Sequence, residues 1–131
     1  MVSSSVNIII ALALLQYLAF LFAVGSARGR FKVSAPATTG HPEFERYYRV
    51  QMNTLELLVA FVPAMYMFGY YMGTLWATVL GSVYLIGRVL YFYAYIADPS
   101  KRAPGFMLSL VPILALIFGG LYGAVRVTFG F

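Results

Sequence analysis

Arg49, Asn53 and Glu56 are spaced four and three apart, so on a helix they fall within about 60° of one another and make one polar stripe. Tyr84, Arg88, Tyr91 and Tyr95, spaced four, three and four apart, make a second. A guanidinium forks onto the oxygens of an anion, a carboxylate takes up an ammonium, and amide and phenol groups fill the hydrogen bonds between them. The plainer use of such residues is a structural Glu56 to Arg88 ion pair that knits two helices together. Even with that pair made, Arg28, Arg49 and Arg102 outnumber the nearby acids, which leaves cationic capacity for an anionic ligand.

Other chemistries find little footing. The chain has no cysteine, which removes a disulfide framework, a thiol nucleophile and cysteine-based metal sites; any thiol chemistry must use a thiol that arrives as substrate. The single histidine, His41, precedes Pro42 in a turn, where a solvated role is the plain one. No metal site, nucleophilic triad, phosphate loop or base-reading motif stands out, so neither a metal nor nucleic acid is expected as a partner. Gln51 points about 200° from Arg49 on the same helix, which makes it either an exposed polar residue near the membrane surface or a contact for another subunit.

The elements that must carry these stripes follow from composition. Of 131 residues, 62% are hydrophobic and 10% charged, against about 25% charged in an ordinary soluble domain. Charge-free intervals cover residues 1–27, 57–87 and 103–125. A spanning helix needs about 20 mainly apolar residues, so the first and third intervals hold one span each. The middle one, broken near Gly69 to Gly73, holds two. The expected fold is an all-α integral membrane protein, a single four-helix domain with helices near 5–27, 42–69, 74–97 and 104–128. The first apolar stretch is too long for a secretory signal and lacks a basic leader. Pro42 suits the first turn of helix two, where Glu43 and Glu45 complement the dipole. That helix, about 42 Å long, overhangs the hydrocarbon slab, and Pro63 and Pro112 should kink helices two and four.

Arg28, Arg30, Lys32, Arg46 and Arg49 cluster between helices one and two, and Lys101 and Arg102 between three and four. The positive-inside rule puts both basic loops in the cytosol, with Arg126 the one dissenting charge. Membrane lipid is a partner by the same argument. A charge at the centre of a span costs roughly 2.5–3.5 kcal/mol on insertion scales, so Glu56 and Arg88, both placed in the cytosolic third, should face a partner or a polar cavity.

The segment Pro42-Glu43-Phe44-Glu45-Arg46-Tyr47-Tyr48-Arg49-Val50-Gln51-Met52-Asn53-Thr54-Leu55-Glu56 resembles the signature of the MAPEG family, the membrane-associated proteins in eicosanoid and glutathione metabolism. So does Gly87-Arg88-Val89-Leu90-Tyr91-Phe92-Tyr93-Ala94-Tyr95, with Asp98-Pro99-Ser100-Lys101-Arg102 after it. The resemblance implies a homotrimer of four-helix subunits that hold glutathione, as co-substrate, between neighbours near the cytosolic face. It maps glutathione binding onto Arg28, Arg49, Gln51, Asn53, Glu56, Arg88, Tyr91 and Tyr95, and the catalytic, thiolate-stabilising role onto Arg102. Arg28, Arg49 and Arg88 would then serve the carboxylates, Glu56 the ammonium, and Asn53 with the tyrosines the hydrogen bonds.

Gly29 stands where the leukotriene synthase branch has a second arginine, and Leu57 where many members have a tyrosine. The Asp-Pro-Ser-Lys-Arg loop is more similar to the microsomal glutathione transferase branches. The resemblance therefore implies a glutathione S-transferase acting on lipophilic electrophiles, with reduction of lipid hydroperoxides as a side activity. The membrane would be a bacterial inner membrane or the endoplasmic reticulum. A non-catalytic lipid-binding scaffold of the same family is the alternative. A small multidrug transporter is a third reading, but it would need an acid in the first span, and there is none.

Overall fold

A computed structural model describes residues 3–131 of the chain. It contains four long helices, α1 (Ser4–Phe31), α2 (Pro42–Met72), α3 (Thr74–Ala97) and α4 (Ala103–Phe129), with a 3₁₀ turn at Pro99–Lys101. Each long helix is long and apolar enough to cross a membrane, and no strand occurs among the described residues. The chain is an all-α integral membrane protein.

The helix ends follow from local chemistry. α1 continues to Phe31, four residues past the apolar stretch, because charge ends a membrane span without ending a helix, and arginine is a good helix former. It stops at Lys32 in the left-handed region, and Arg28 Nη1 then donates to the carbonyls of Val33 (3.4 Å) and Ala37 (2.7 Å), tying down the loop. His41 caps α2: its Nδ1 accepts the Glu43 N–H at 3.1 Å, Pro42 takes the first helical position, and the imidazole stacks on Phe31. The residue is thus a cap with a defined partner rather than merely solvated. α2 runs unbroken through Gly69 to Met72, and the only interruption before α3 is Gly73, whose φ of 98° suits glycine. Pro63 and Pro112 lie inside α2 and α4, where each removes one backbone donor.

Apolar side chains from all four helices pack together, among them Ile9 and Ala13 of α1, Phe61 and Met65 of α2, Tyr84 of α3 and Leu116 of α4. Leu15, Phe22, Trp76 and Phe118 point outward, as a lipid-facing surface requires. Within a bilayer close packing rather than water exclusion holds such helices together, and small residues set how near they come. α3 and α4 meet at two glycines. A Cβ on Gly105 would lie 2.5 Å from Tyr91 N, and one on Gly87 would lie 2.7 Å from the Leu108 carbonyl carbon. That close crossing brings Tyr91 of α3 beside Phe106 of α4 and sets the wall of the site described next.

Candidate functional site

At the end of the bundle that carries the 3₁₀ turn, a cleft of about 720 Å³ opens between three helices. Arg49 and Asn53 line it from α2, Tyr91 and Tyr95 from α3, Ser100 and Arg102 from the turn, and Ala103 and Phe106 from the start of α4. The lining holds two guanidinium groups and no carboxylate.

The 3₁₀ turn fixes Arg102. Asp98 Oδ1 accepts from the Ser100 hydroxyl (2.8 Å) and the Ser100 N–H (3.0 Å), and these bonds, the hydroxyl first, hold the Asp98 carboxyl below its ordinary pKa. Arg102 Nη1 donates to the Pro99 carbonyl at 3.0 Å, which leaves the remaining guanidinium donors for the cleft. Arg102 is also the residue before the first turn of α4, where the unpaired N–H groups and helix dipole favour an anion.

Glu56 does not pair with Arg88. Its Oε1 lies 3.2 Å from Arg49 Nη2, with both side chains about half exposed, because the two residues share one face of α2 and need no second helix to meet. Arg88 is fully buried beneath the cleft, 0% exposed. Its Nε donates to Ser109 Oγ (2.8 Å), and its Nη1 donates to Asn53 Oδ1 (2.8 Å) and Thr54 Oγ1 (3.2 Å). The guanidinium carbon sits 4.2 Å from the centre of the Tyr91 ring. This cation is held through Nε and Nη1 by neutral oxygens and across an aromatic face, while its Nη2 is buried without a partner among the described residues.

Arg49, Asn53, Tyr91, Tyr95 and Arg102 therefore line one cleft, with Glu56 attached to its edge through Arg49. Arg28 and Gln51 lie elsewhere in the single chain. Arg28 holds the α1–α2 loop and stacks on Phe44, 4.9 Å from the ring centre. Gln51 is only 7% exposed, and its Nε2 donates to the Tyr17 hydroxyl of α1 at 3.0 Å, so α1 covers a face that α2 alone would leave open.

Sequence reasoning missed Thr54, Ser109 and Phe106. Ser109 carried a signal, being the one hydroxyl in the apolar run of α4 from Phe106 to Gly123 other than Tyr122. Phe106 was one apolar residue among many. Among the described residues no group of metal-ligating side chains gathers. Chemically, the cleft can take a small molecule with anionic groups, offer a carboxylate to a cation at its rim, and hold an anion against Arg102 and the α4 N-terminus.

Comparison with known proteins agrees with this architecture. A family model described as the MAPEG family matches residues 6–122. Microsomal glutathione S-transferase 2 from Homo sapiens is 46% identical over 112 residues, covering 86% of this chain and 74% of the relative. An uncharacterized protein from Synechocystis is 43% identical over 114 residues, covering 87% and 83%. Leukotriene C4 synthase from Bos taurus is 41% identical over 83 residues, covering 63% and 55%. A match that spans nearly the whole chain, on four membrane helices with the cleft at one end, makes this chain a member of the MAPEG family.

Proposed function

We propose that the protein is a membrane-bound glutathione S-transferase, which joins the sulfur of glutathione to lipophilic electrophiles that reach the cleft from the bilayer. The observation that carries the reading is Arg49 and Arg102 in one acid-free cleft, with Glu56 available at its edge. Glutathione has two carboxylates, one ammonium and one thiol, and this set of side chains answers each group. Arg49 takes a carboxylate, Glu56 the ammonium, Asn53, Tyr91 and Tyr95 the intervening hydrogen bonds, and Arg102 the sulfur.

The chain's work is to make the sulfur an anion. A free thiol of pKa near 8.5 is only about 3% thiolate at pH 7; lowering that by about two units gives about 75% and needs roughly 2.7 kcal/mol of differential stabilisation. A charge-assisted bond from Arg102, aided by the α4 N-terminus, is of that order. The proton leaves to solvent at the cytosolic rim. The sulfur lone pair then forms the bond to the electrophile, and the leaving group departs with its electron pair. Phe106 and the two tyrosine rings give the electrophile an apolar wall, so proximity supplies much of the rate. Reduction of lipid hydroperoxides by the same thiolate, with a second glutathione forming the disulfide, belongs to the proposal.

A homotrimer is also part of it. Arg28, which the single chain keeps outside its own cleft, would then serve a neighbour's, whereas Gln51 is covered by α1 and bonded to Tyr17 of its own chain. The basic loops would lie in the cytosol, at a bacterial inner membrane or the endoplasmic reticulum. The test is purified protein in detergent with glutathione and a chromogenic aryl halide. Saturable conjugate formation, absent after heat inactivation, is expected. Saturable lipid binding without any turnover would overturn the enzyme reading in favour of the scaffold.

A further inference from the structure

We propose that Arg88 makes no contact with glutathione and instead sets which end of the Asn53 amide faces the cleft, so that Asn53 serves there as a hydrogen-bond donor to a carboxylate or carbonyl oxygen. The inference rests on the glutathione reading of the cleft. It assigns Arg88 the part of a positioning residue, and Thr54 and Ser109 the part of anchors that hold it.

The argument begins with what a guanidinium can do. It has only donors, so the atom of Asn53 that meets Arg88 Nη1 at 2.8 Å is the amide oxygen. The amide is planar, and its Nδ2 therefore points the other way. Asn53 is 8% exposed and lines the cleft, and its Nδ2 has no hydrogen-bond partner among the described residues. The cleft is thus offered N–H and denied C=O at this position.

Arg88 is itself fixed by hydroxyls that have no freedom to do otherwise. Thr54 Oγ1 donates to the Val50 carbonyl and Ser109 Oγ to the Gly105 carbonyl, each at 2.8 Å and each one turn back on its own helix. With their hydrogens committed, both oxygens can only accept, and both accept from Arg88. These bonds anchor one α3 side chain to α2 and α4 at once. The same guanidinium lies on the Tyr91 ring, a second wall of the cleft. With Glu56 paired to Arg49, no carboxylate reaches Arg88 among the described residues, and the neutral Asn53 amide is its link to the cleft.

A double-mutant cycle separates this from direct contact. Arg88→Met in the wild-type background should raise the KM for glutathione about tenfold, the effect of a misdirected amide facing a carboxylate, with a smaller change in kcat at saturating glutathione. In an Asn53→Ala background the same substitution should change KM by less than about twofold, because there is no amide left to orient. An equal factor in both backgrounds would overturn the proposal, since it means that Arg88 acts on the ligand independently. Should Arg88→Met not fold, Ser109→Ala keeps the cation and loosens one anchor. It should raise KM by about threefold, and only where Asn53 is present. An unchanged KM in Ser109→Ala would also overturn the proposal. Wild-type protein without glutathione turnover would overturn the functional reading and this inference together, whereas active wild-type protein with independent factors overturns this inference alone.

Discussion

Arg49 Nη2 and Glu56 Oε1 are 3.2 Å apart on one face of α2, with side chains 48% and 55% exposed. An ion pair so exposed contributes only about 0–1 kcal/mol to a fold. On the proposed glutathione reading, its value lies in keeping a cation and an anion at the mouth of the cleft before any ligand arrives. A zwitterionic end of a ligand can exchange into that pair, carboxylate to Arg49 and ammonium to Glu56, without leaving either charge alone.

Glu56→Gln should therefore leave the thermal midpoint in detergent within a few degrees of wild type while raising the KM for glutathione about tenfold, the loss of one charge-assisted contact. Parallel melting curves and steady-state kinetics check this. A large fall in the midpoint with KM unchanged would make the pair a structural one.

Gly105 is where α4 touches α3. Since a Cβ there would meet the Tyr91 backbone nitrogen at 2.5 Å, Gly105→Ala must push the helices apart. Overpacking of this kind costs roughly 1–3 kcal/mol, and the displacement falls on Tyr91 and Ser109, so both the thermal midpoint and the affinity for glutathione should drop. Gly25→Ala, with open space around its Cβ position, is the control and should change neither.

Asp98 predicts a pH dependence. Its carboxyl is held below the ordinary value by the Ser100 hydroxyl and N–H, so the stabilisation is present above the carboxyl's unfolded pKa and lost as pH falls through the lower folded value. The turn that carries Arg102 should persist at neutral pH and loosen only in acid. Asp98→Ala should lower kcat/KM at pH 7 by about threefold through misplacement of Arg102, and should flatten the acid decline of stability relative to wild type. Melting curves from pH 7 downward, run on both proteins, give the comparison.

The spans were legible because charge is so unevenly distributed: runs without Asp, Glu, Lys or Arg long enough to cross a bilayer have no other ready explanation. The face shared by Arg49 and Asn53, and that shared by Arg88, Tyr91 and Tyr95, were legible from helical spacing alone. How those faces turn toward one another was not. Glu56 and Arg88 sit at similar depth, yet the rotation of α2 about its axis points Asn53 and Thr54, not Glu56, at the guanidinium. That rotation goes with contacts such as the Phe61 ring of α2 stacked on Tyr84 of α3, 3.9 Å between centroids, which no periodicity encodes. The end of α1 escaped for a related reason, since hydropathy marks where a helix leaves the membrane and not where its hydrogen bonds stop. His41 shows the limit of composition: beside a proline it reads as a turn residue, and only the geometry of Glu43 N–H reveals the cap.

Arg102 as the residue that holds glutathione's sulfur as an anion is the central claim, and the ultraviolet absorbance of bound thiolate measures it most directly. Titrating the wild-type protein with glutathione at pH 7 should produce a saturable thiolate band, while Arg102→Ala should bind glutathione with similar affinity by calorimetry yet show little of the band and turn over about a hundredfold more slowly. A thiolate band of full size in Arg102→Ala, or none in the wild type at saturation, would contradict the account.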